Sequence, residues 1–204
     1  MNSLDGLRSF CLELSSDQSS PGGGTATAAS GAMAASLLIM VCKITGGSKK
    51  YEQSWPELLK LRSELEGLRD QLLSLSRDDA RAYDEVVVAF RKKKDRDDDA
   101  SRKGVESALK HAADVPLRTV EACSRVLGLT GKVAKLGIRS ASSDVGVASL
   151  LAEAGLKGAA LNIRINLKSM SDKSFTTSME DTLTKLESSA GKVPRDALAK
   201  LTQE

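Results

Sequence analysis

From residue 56 to residue 92, apolar side chains recur at alternating steps of three and four: Leu58, Leu61, Leu65, Leu68, Leu72 and Leu75. That rhythm is the heptad seam of a helix packed against partners. Pro56, two residues after Ser54, suits a first helical position. The next places in the register are Asp79, Ala82, Val86 and Ala89, so a carboxylate interrupts a seam that then resumes. A continuous helix from Pro56 to Lys92 would be about 55 Å long. Shorter patterns flank it. Ser3 is placed to cap a helix over residues 3 to 14, with Leu4, Leu7, Cys11 and Leu14 at helical spacing. Ser15 to Gly24 is a polar, glycine-rich loop, and a second helix runs from about Thr25 to Thr45 until Gly46, Gly47 and Ser48 stop it.

Beyond the long helix, Arg91 to Lys94 close one element and Asp97-Asp98-Asp99 open the next, which complements both helix dipoles. The following helix is expected from about Asp98 to Leu129. Val105, Leu109, Ala112, Val120, Cys123 and Leu127 mark its face, and Pro116 should kink or interrupt it. Residues 128 to 143 are rich in Gly and Ser. A further helix starts near Ser143-Asp144 and passes through Leu150, Ala154, Leu161 and Ile165. The last carries Phe175, Met179, Leu183 and Leu186 before a break near Gly191 and Pro194. Strand and hairpin signals are nearly absent, and no internal repeat occurs. The pattern predicts an all-α fold, a bundle of long antiparallel helices, in a single domain over residues 1–204.

Composition narrows what such a bundle does. Aromatic residues make up only 3% of the chain, so its core must be built from Ala, Leu, Val and Ile. A net charge of +3, with no aromatics interleaved in a basic stripe, argues against nucleic acid. Cys11, Cys42 and Cys123 are far apart, and His111 is the only histidine, so no metal-ligand spacing exists. Unpaired cysteines and an N-terminus without a signal-peptide pattern point to the cytoplasm. Residues 25 to 42 carry no charge and reach the length of a membrane span. Thr25, Thr27, Ser30, Gly31 and Ser36 dilute that stretch, and a buried central helix accounts for it better.

Two features carry candidate chemistry. Pro21-Gly22-Gly23-Gly24 leads into a helix of Ala, Gly and Ser. Glycines before a helix bare several N–H groups with a positive dipole behind them, which suits an anion or a carbonyl oxygen; a flexible turn that binds nothing is the alternative. The segment lacks the Lys-Ser/Thr ending of a phosphate loop. Asp79 is the second feature. A carboxylate in an apolar seam is costly unless paired or used, and burial would raise its pKa toward proton transfer. A buried ion pair, or a seam that merely ends there, would also explain it. Ser143-Asp144 reads as a helix N-cap. Asn162 and Asn166, four residues apart, share one helix face, as polar pairs on solvated faces also do.

In this order, the motifs resemble the cyclodeaminase/cyclohydrolase family of folate enzymes. The resemblance rests on Ser20-Pro21-Gly22-Gly23-Gly24-Thr25, Ile44-Thr45-Gly46, Lys49-Lys50-Tyr51-Glu52, Asp79-Ala80-Arg81-Ala82-Tyr83, Val115-Pro116-Leu117, Ser143-Asp144-Val145 and Leu161 to Leu167. It implies a helical homodimer with the folate site at or near the subunit interface, and no cofactor beyond a tetrahydrofolate-type substrate. It places the proposed catalytic aspartate on Asp79 and brings Asp144 toward the site. Pro21, Gly22, Gly23 and Gly24 would shape the pterin pocket or supply N–H donors, with Asn162 and Asn166 beside the substrate. Lys49, Lys50 and Lys92 to Lys94 would attract the glutamate tail, although solvated lysines read the same way. One departure is local: the family's Leu-Pro-Lys after the long helix is replaced by Lys92-Lys93-Lys94. The implied reaction forms or opens 5,10-methenyltetrahydrofolate. With no formimidoyltransferase domain in these 204 residues, the expectation leans to the cyclohydrolase. A non-catalytic helical scaffold, dimerising through its leucine seam, is the alternative.

Overall fold

The leucine seam folds as one helix. In the computed structural model, which describes residues 3–96 and 98–190, α3 (Trp55–Asp95) is 41 residues long, or roughly 60 Å. Its six seam leucines are all buried. Past Leu75 the seam thins to half-buried Asp79, buried Ala82 and the partly buried Val86 and Ala89. The other helices are α1 (Ser3–Leu14), α2 (Gly23–Gly46), α4 (Asp99–Leu136), α5 (Ser142–Lys168) and α6 (Lys173–Ala190), with 3-10 turns at Lys49–Ser54 and Arg139–Ala141. The described residues contain no strand.

α2 packs on α3, α3 on α4, α4 on α5, and α5 back on α2. Short connections make each neighbour antiparallel to the last, which gives the all-α bundle that the spacing predicts. α6 lies over α4 and α5. It is tied there by Arg164, which donates to both carboxylate oxygens of Glu187 at 3.1 and 2.8 Å and to Glu180 at 3.2 Å.

α2 also reaches α4 across the bundle, because its buried face is made of Ala28, Gly31, Ala32, Ala34 and Ala35. A Cβ on Gly31 would stand 2.5 Å from Cys123 Sγ and 3.1 Å from Leu72 Cδ1. On Gly155 of α5 it would stand 2.8 Å from the Thr27 carbonyl oxygen. The Ser30 hydroxyl donates across the same contact to the Leu151 carbonyl at 2.8 Å. These helices meet backbone to backbone. α2 is, among the described residues, the helix long and apolar enough to cross a membrane, and 56% of that stretch is buried inside the bundle.

The structure departs from the spacing in four places. α4 runs through Pro116 without interruption; the Ala112 carbonyl, which a proline cannot serve, takes a donor from α5 instead. α4 also continues to Leu136 through Gly128 and Gly131, because Leu127, Leu129, Thr130 and Val133 are buried, and tertiary burial outweighs weak helix propensity. α5 starts one residue before Ser143, with Ala141 at the N-cap and no side-chain cap. Ser143 and Asp144 therefore lie in the first turn rather than capping it. α1 forms where expected, but the whole of its predicted face, Leu4, Leu7, Cys11 and Leu14, is exposed. Helical spacing defines an apolar face; it does not say what covers it. The capping side chain assigned to Ser3, Asp97 and the break near Gly191 and Pro194 lie outside the described residues.

A matched pair of substitutions tests the close contact. Gly155→Ala should destabilise the protein by about 1–3 kcal/mol, because its methyl meets backbone that must move. Gly128→Ala, which meets nothing within 4 Å, should stabilise it by up to about 1 kcal/mol through helix propensity. Urea unfolding of both variants reads the difference in sign.

Candidate active site

The first turn of α2 and the middle of α3 meet at a single carboxylate. A Cβ on Gly24 would fall well inside van der Waals contact of Asp79 Oδ1, Cγ and Oδ2. Glycine at this position is what lets the carboxylate reach the helix end. Thr25 Oγ1 donates to Asp79 Oδ2 at 3.2 Å, and Thr25 is itself 6% exposed. The N-terminus of α2, which the sequence marks as a place for an anion, thus receives one from within the chain.

The surroundings of Asp79 set its acidity. Burial pushes its carboxyl above the ordinary aspartate range, and the Thr25 hydroxyl and then its backbone N–H pull it part of the way back. No Lys, Arg or His forms an ion pair with it among the described residues. Of the readings open for a seam aspartate, the buried ion pair is therefore not the one built here. Asp78, next to it, faces Arg81 at 3.8 Å and accepts weakly from Ser74 at 3.5 Å.

A cavity of about 290 Å³ opens onto this carboxylate. Its wall includes Gly22, Gly23 and Gly24 from the start of α2, Asp79 and Tyr83 from α3, Ala112 from α4, and Asn162 and Asn166 from α5. The two asparagines differ in state. Asn166 Nδ2 donates to the Ala112 carbonyl at 2.9 Å. Asn162 Nδ2 is buried and has no protein partner. Four helices thus bring together one base, one unspent donor and a glycine-lined wall.

Other sequence-predicted residues lie elsewhere. Pro21 stands between two wall residues, after a cis peptide bond with Ser20, and does not itself line the cavity. Lys50 is exposed in the 3-10 turn after α2 and stacks its ammonium 5.9 Å from the Tyr51 ring centroid. α2 separates it from the glycines by roughly 35 Å. Asp144 lies in the first turn of α5, roughly 27 Å along that helix from Asn162. The Ile138 N–H, just ahead of α5, donates to Thr45 Oγ1 at 3.0 Å. Lys50 and Asp144 therefore occupy the same far end of the bundle.

A larger groove, about 1160 Å³, runs between the second half of α3 and the first half of α4. Lys92 lines it, and so does His111, whose Nδ1 lies 2.8 Å from Glu85 Oε2. Among the described residues it holds no unpaired buried polar atom. Among the described residues, no three His, Cys, Asp or Glu side chains converge as metal ligands. Thr25, Tyr83 and Ala112 were not singled out by the sequence as site residues. Thr25 and Tyr83 did appear there as the last residues of two of the motifs that carry the resemblance, Tyr83 one helical turn from Asp79.

A family model described as formiminotransferase-cyclodeaminase matches residues 6–185. The chain belongs to that family. It is 40% identical over 183 residues to a methenyltetrahydrofolate cyclohydrolase from Methylorubrum extorquens, covering 89% of this chain and 86% of that one. It is 31% identical to the formimidoyltransferase-cyclodeaminase of Sus scrofa, covering 88% of this chain but 34% of that longer protein. The crystal structure of a formiminotetrahydrofolate cyclodeaminase from Thermotoga maritima superposes with a TM-score of 0.86 at 28% identity, covering 96% of each chain. Family membership and fold agree along nearly the whole length.

The raised pKa of Asp79 has a stability consequence. Its folded pKa lies above its unfolded one, so the folded state binds the extra proton as pH falls. Stability from this group is present below the unfolded pKa and is lost as pH rises through the folded one. Asp79→Asn should therefore be more stable than the parent at pH 7, and the two should converge in mild acid. Thermal unfolding across pH 4 to 8 checks this; a constant offset would contradict it.

Proposed function

We propose that this protein opens 5,10-methenyltetrahydrofolate by adding water, with Asp79 as the general base. The observation that carries the reading is a half-buried carboxylate, free of any basic partner, at the wall of the cavity that the family's motifs enclose. The methenyl group is an amidinium cation spanning N5 and N10. A carboxylate in a partly desolvated site attracts that cation and is a stronger base than one in water. Asp79 takes a proton from the water that attacks the methenyl carbon. The carbon–N5 bond then breaks: N5 keeps the electron pair and takes the proton back from Asp79, while the hydroxyl on the carbon loses its proton to solvent, so that a 10-formyl group remains.

Size fits a head-in arrangement. About 290 Å³ is at the low end for a ligand site, room for the pterin and its one-carbon bridge with the glutamate tail outside. The similarity to a cyclohydrolase across most of both chains favours hydrolysis. The Thermotoga maritima neighbour favours a second reading, cyclisation of 5-formiminotetrahydrofolate with loss of ammonia. There Asp79 would take the proton from N10 as it attacks the formimino carbon.

The working unit in this reading is a cytoplasmic homodimer of single-domain chains (residues 1–204). The uncovered apolar face of α1 and the three unpaired cysteines support it. Lys50 and Asp144, remote from their own chain's cavity, would then serve the partner's.

Purified protein should consume 5,10-methenyltetrahydrofolate, followed by its absorbance, faster than it releases ammonia from 5-formiminotetrahydrofolate. Asp79→Asn should lower kcat about 10²- to 10⁴-fold while remaining folded. If neither folate reacts or binds, the reading fails and a helical scaffold takes its place. Mixing Asp79→Asn with Asp144→Asn chains should restore turnover if the site is shared; two inactive variants that stay inactive together would confine the site to one subunit.

A further inference from the structure

Pro116 lies inside α4, at a place where an α-helix needs a donor. Proline has no N–H, and its ring crowds the carbonyl four residues back. That carbonyl belongs to Ala112, a buried residue on the cavity wall. A buried carbonyl without a donor is destabilising. Here the donor comes from the neighbouring helix: Asn166 Nδ2, at 2.9 Å.

This bond does more than satisfy a carbonyl. A carbonyl only accepts, so the amide of Asn166 must present its nitrogen to α4. The opposite end of the amide plane, Oδ1, is then fixed as an acceptor. One helical turn earlier, Asn162 holds a buried Nδ2 that donates to nothing in the protein. Residues four apart on a helix are neighbours, about 6 Å between Cβ atoms. Both asparagines line the cavity, so α5 brings an unspent donor on Asn162 and an acceptor on Asn166 side by side at its wall.

We infer that Pro116 is a positioning residue: by freeing the Ala112 carbonyl it locks Asn166, so that Asn162 and Asn166 read an N–H beside a C=O on the ring that enters the cavity. This rests on the folate reading above, since the pterin head carries such an amide edge. The ring's carbonyl accepts from Asn162 Nδ2, and its N–H donates to Asn166 Oδ1. Asp79, on the facing helix, is left to the one-carbon bridge.

Two double-mutant cycles on the full chain test the parts separately. In the first, unfolding of the ligand-free protein is followed for Pro116→Ala, Asn166→Ala and the double variant. Asn166→Ala should lower the urea midpoint in the parent, where it strips the Ala112 carbonyl of its donor. It should lower it less in the Pro116→Ala background, where the restored N–H serves that carbonyl. Additive effects would overturn the lock. In the second, Pro116→Ala should raise KM for 5,10-methenyltetrahydrofolate about three- to tenfold, the value of one neutral hydrogen bond, with a much smaller change in kcat. It should raise KM no further once Asn166 is alanine. An unchanged KM, or an equal effect in both backgrounds, would overturn the positioning role even if the first cycle succeeds. A parent protein that ignores folates would sink the functional reading and the ligand half of this inference, while the ligand-free cycle still judges the lock.

Discussion

Helix α2 approaches α5 so closely that a methyl group on Gly155 would stand 2.8 Å from the Thr27 carbonyl oxygen. The contact exists because α2 offers Ala, Gly and Ser where most core helices offer Leu. With little side-chain bulk to separate the backbones, dispersion contacts are made by the main chains themselves. The consequence is felt one turn away. The first turn of α2 is drawn in until Gly24 lies against the Asp79 carboxylate. A bulkier α2 would stand farther out, and Asp79 would face water. The close packing of the core and the acidity of the site are two results of one constraint.

The environment of Asp79 balances opposed effects. Desolvation favours its neutral form, while the Thr25 hydroxyl and N–H favour the charged one. A helix N-terminus is a partial positive charge that needs no counter-ion of its own. It can steady a carboxylate without neutralising its basicity as a lysine or arginine at ion-pair distance would. Such a pairing would hold the acid ionised but spend its attraction on the protein. The arrangement leaves that attraction for a cation in the cavity. Burial pushes Cys123 up to about 12 with nothing to offset it, and Cys42 up to about 11 despite the nearby Arg62 charge and a backbone hydrogen bond. They remain protonated thiols.

Much of this could be read along the chain, because helical periodicity is local. The leucine seam gave α3, and the break in its rhythm picked out Asp79. The glycines before an alanine-rich stretch gave the start of α2. What escaped was set by contacts between helices. Nothing in the spacing of α4 says that a donor on α5 replaces the one Pro116 lacks, so an interruption was the natural expectation. Gly128 and Gly131 suggested a loop, but burial of the leucines and Val133 around them decided for helix. The apolar face of α1 was correctly periodic and yet lies uncovered. Lys50 and Asp144, assigned to the substrate by the resemblance, lie at the other end of the bundle from their own chain's glycines, a distance that a sequence does not carry. Thr25 closes one of the motifs that carry the resemblance, but its role was not legible there, since a carboxylate from 54 residues away reaches its hydroxyl only in the fold.

The site occupies a single layer of the bundle, and each helix supplies one part of it. α2 gives the glycine wall and Thr25, α3 gives Asp79 and Tyr83, α4 gives the Ala112 carbonyl, and α5 gives Asn162 and Asn166. Apart from Ser19, Ser20 and Gly22, which precede α2, the parts sit on helices. Their mutual distances are the interhelical distances, and those are fixed by packing along the whole length of each pair. Helices are stiff, so a change at Gly31 or Gly155 moves the layer even though neither residue lines the cavity. Selection on the chemistry therefore acts on core residues far from any substrate. In this bundle the spacing of the helices is the geometry of the cavity.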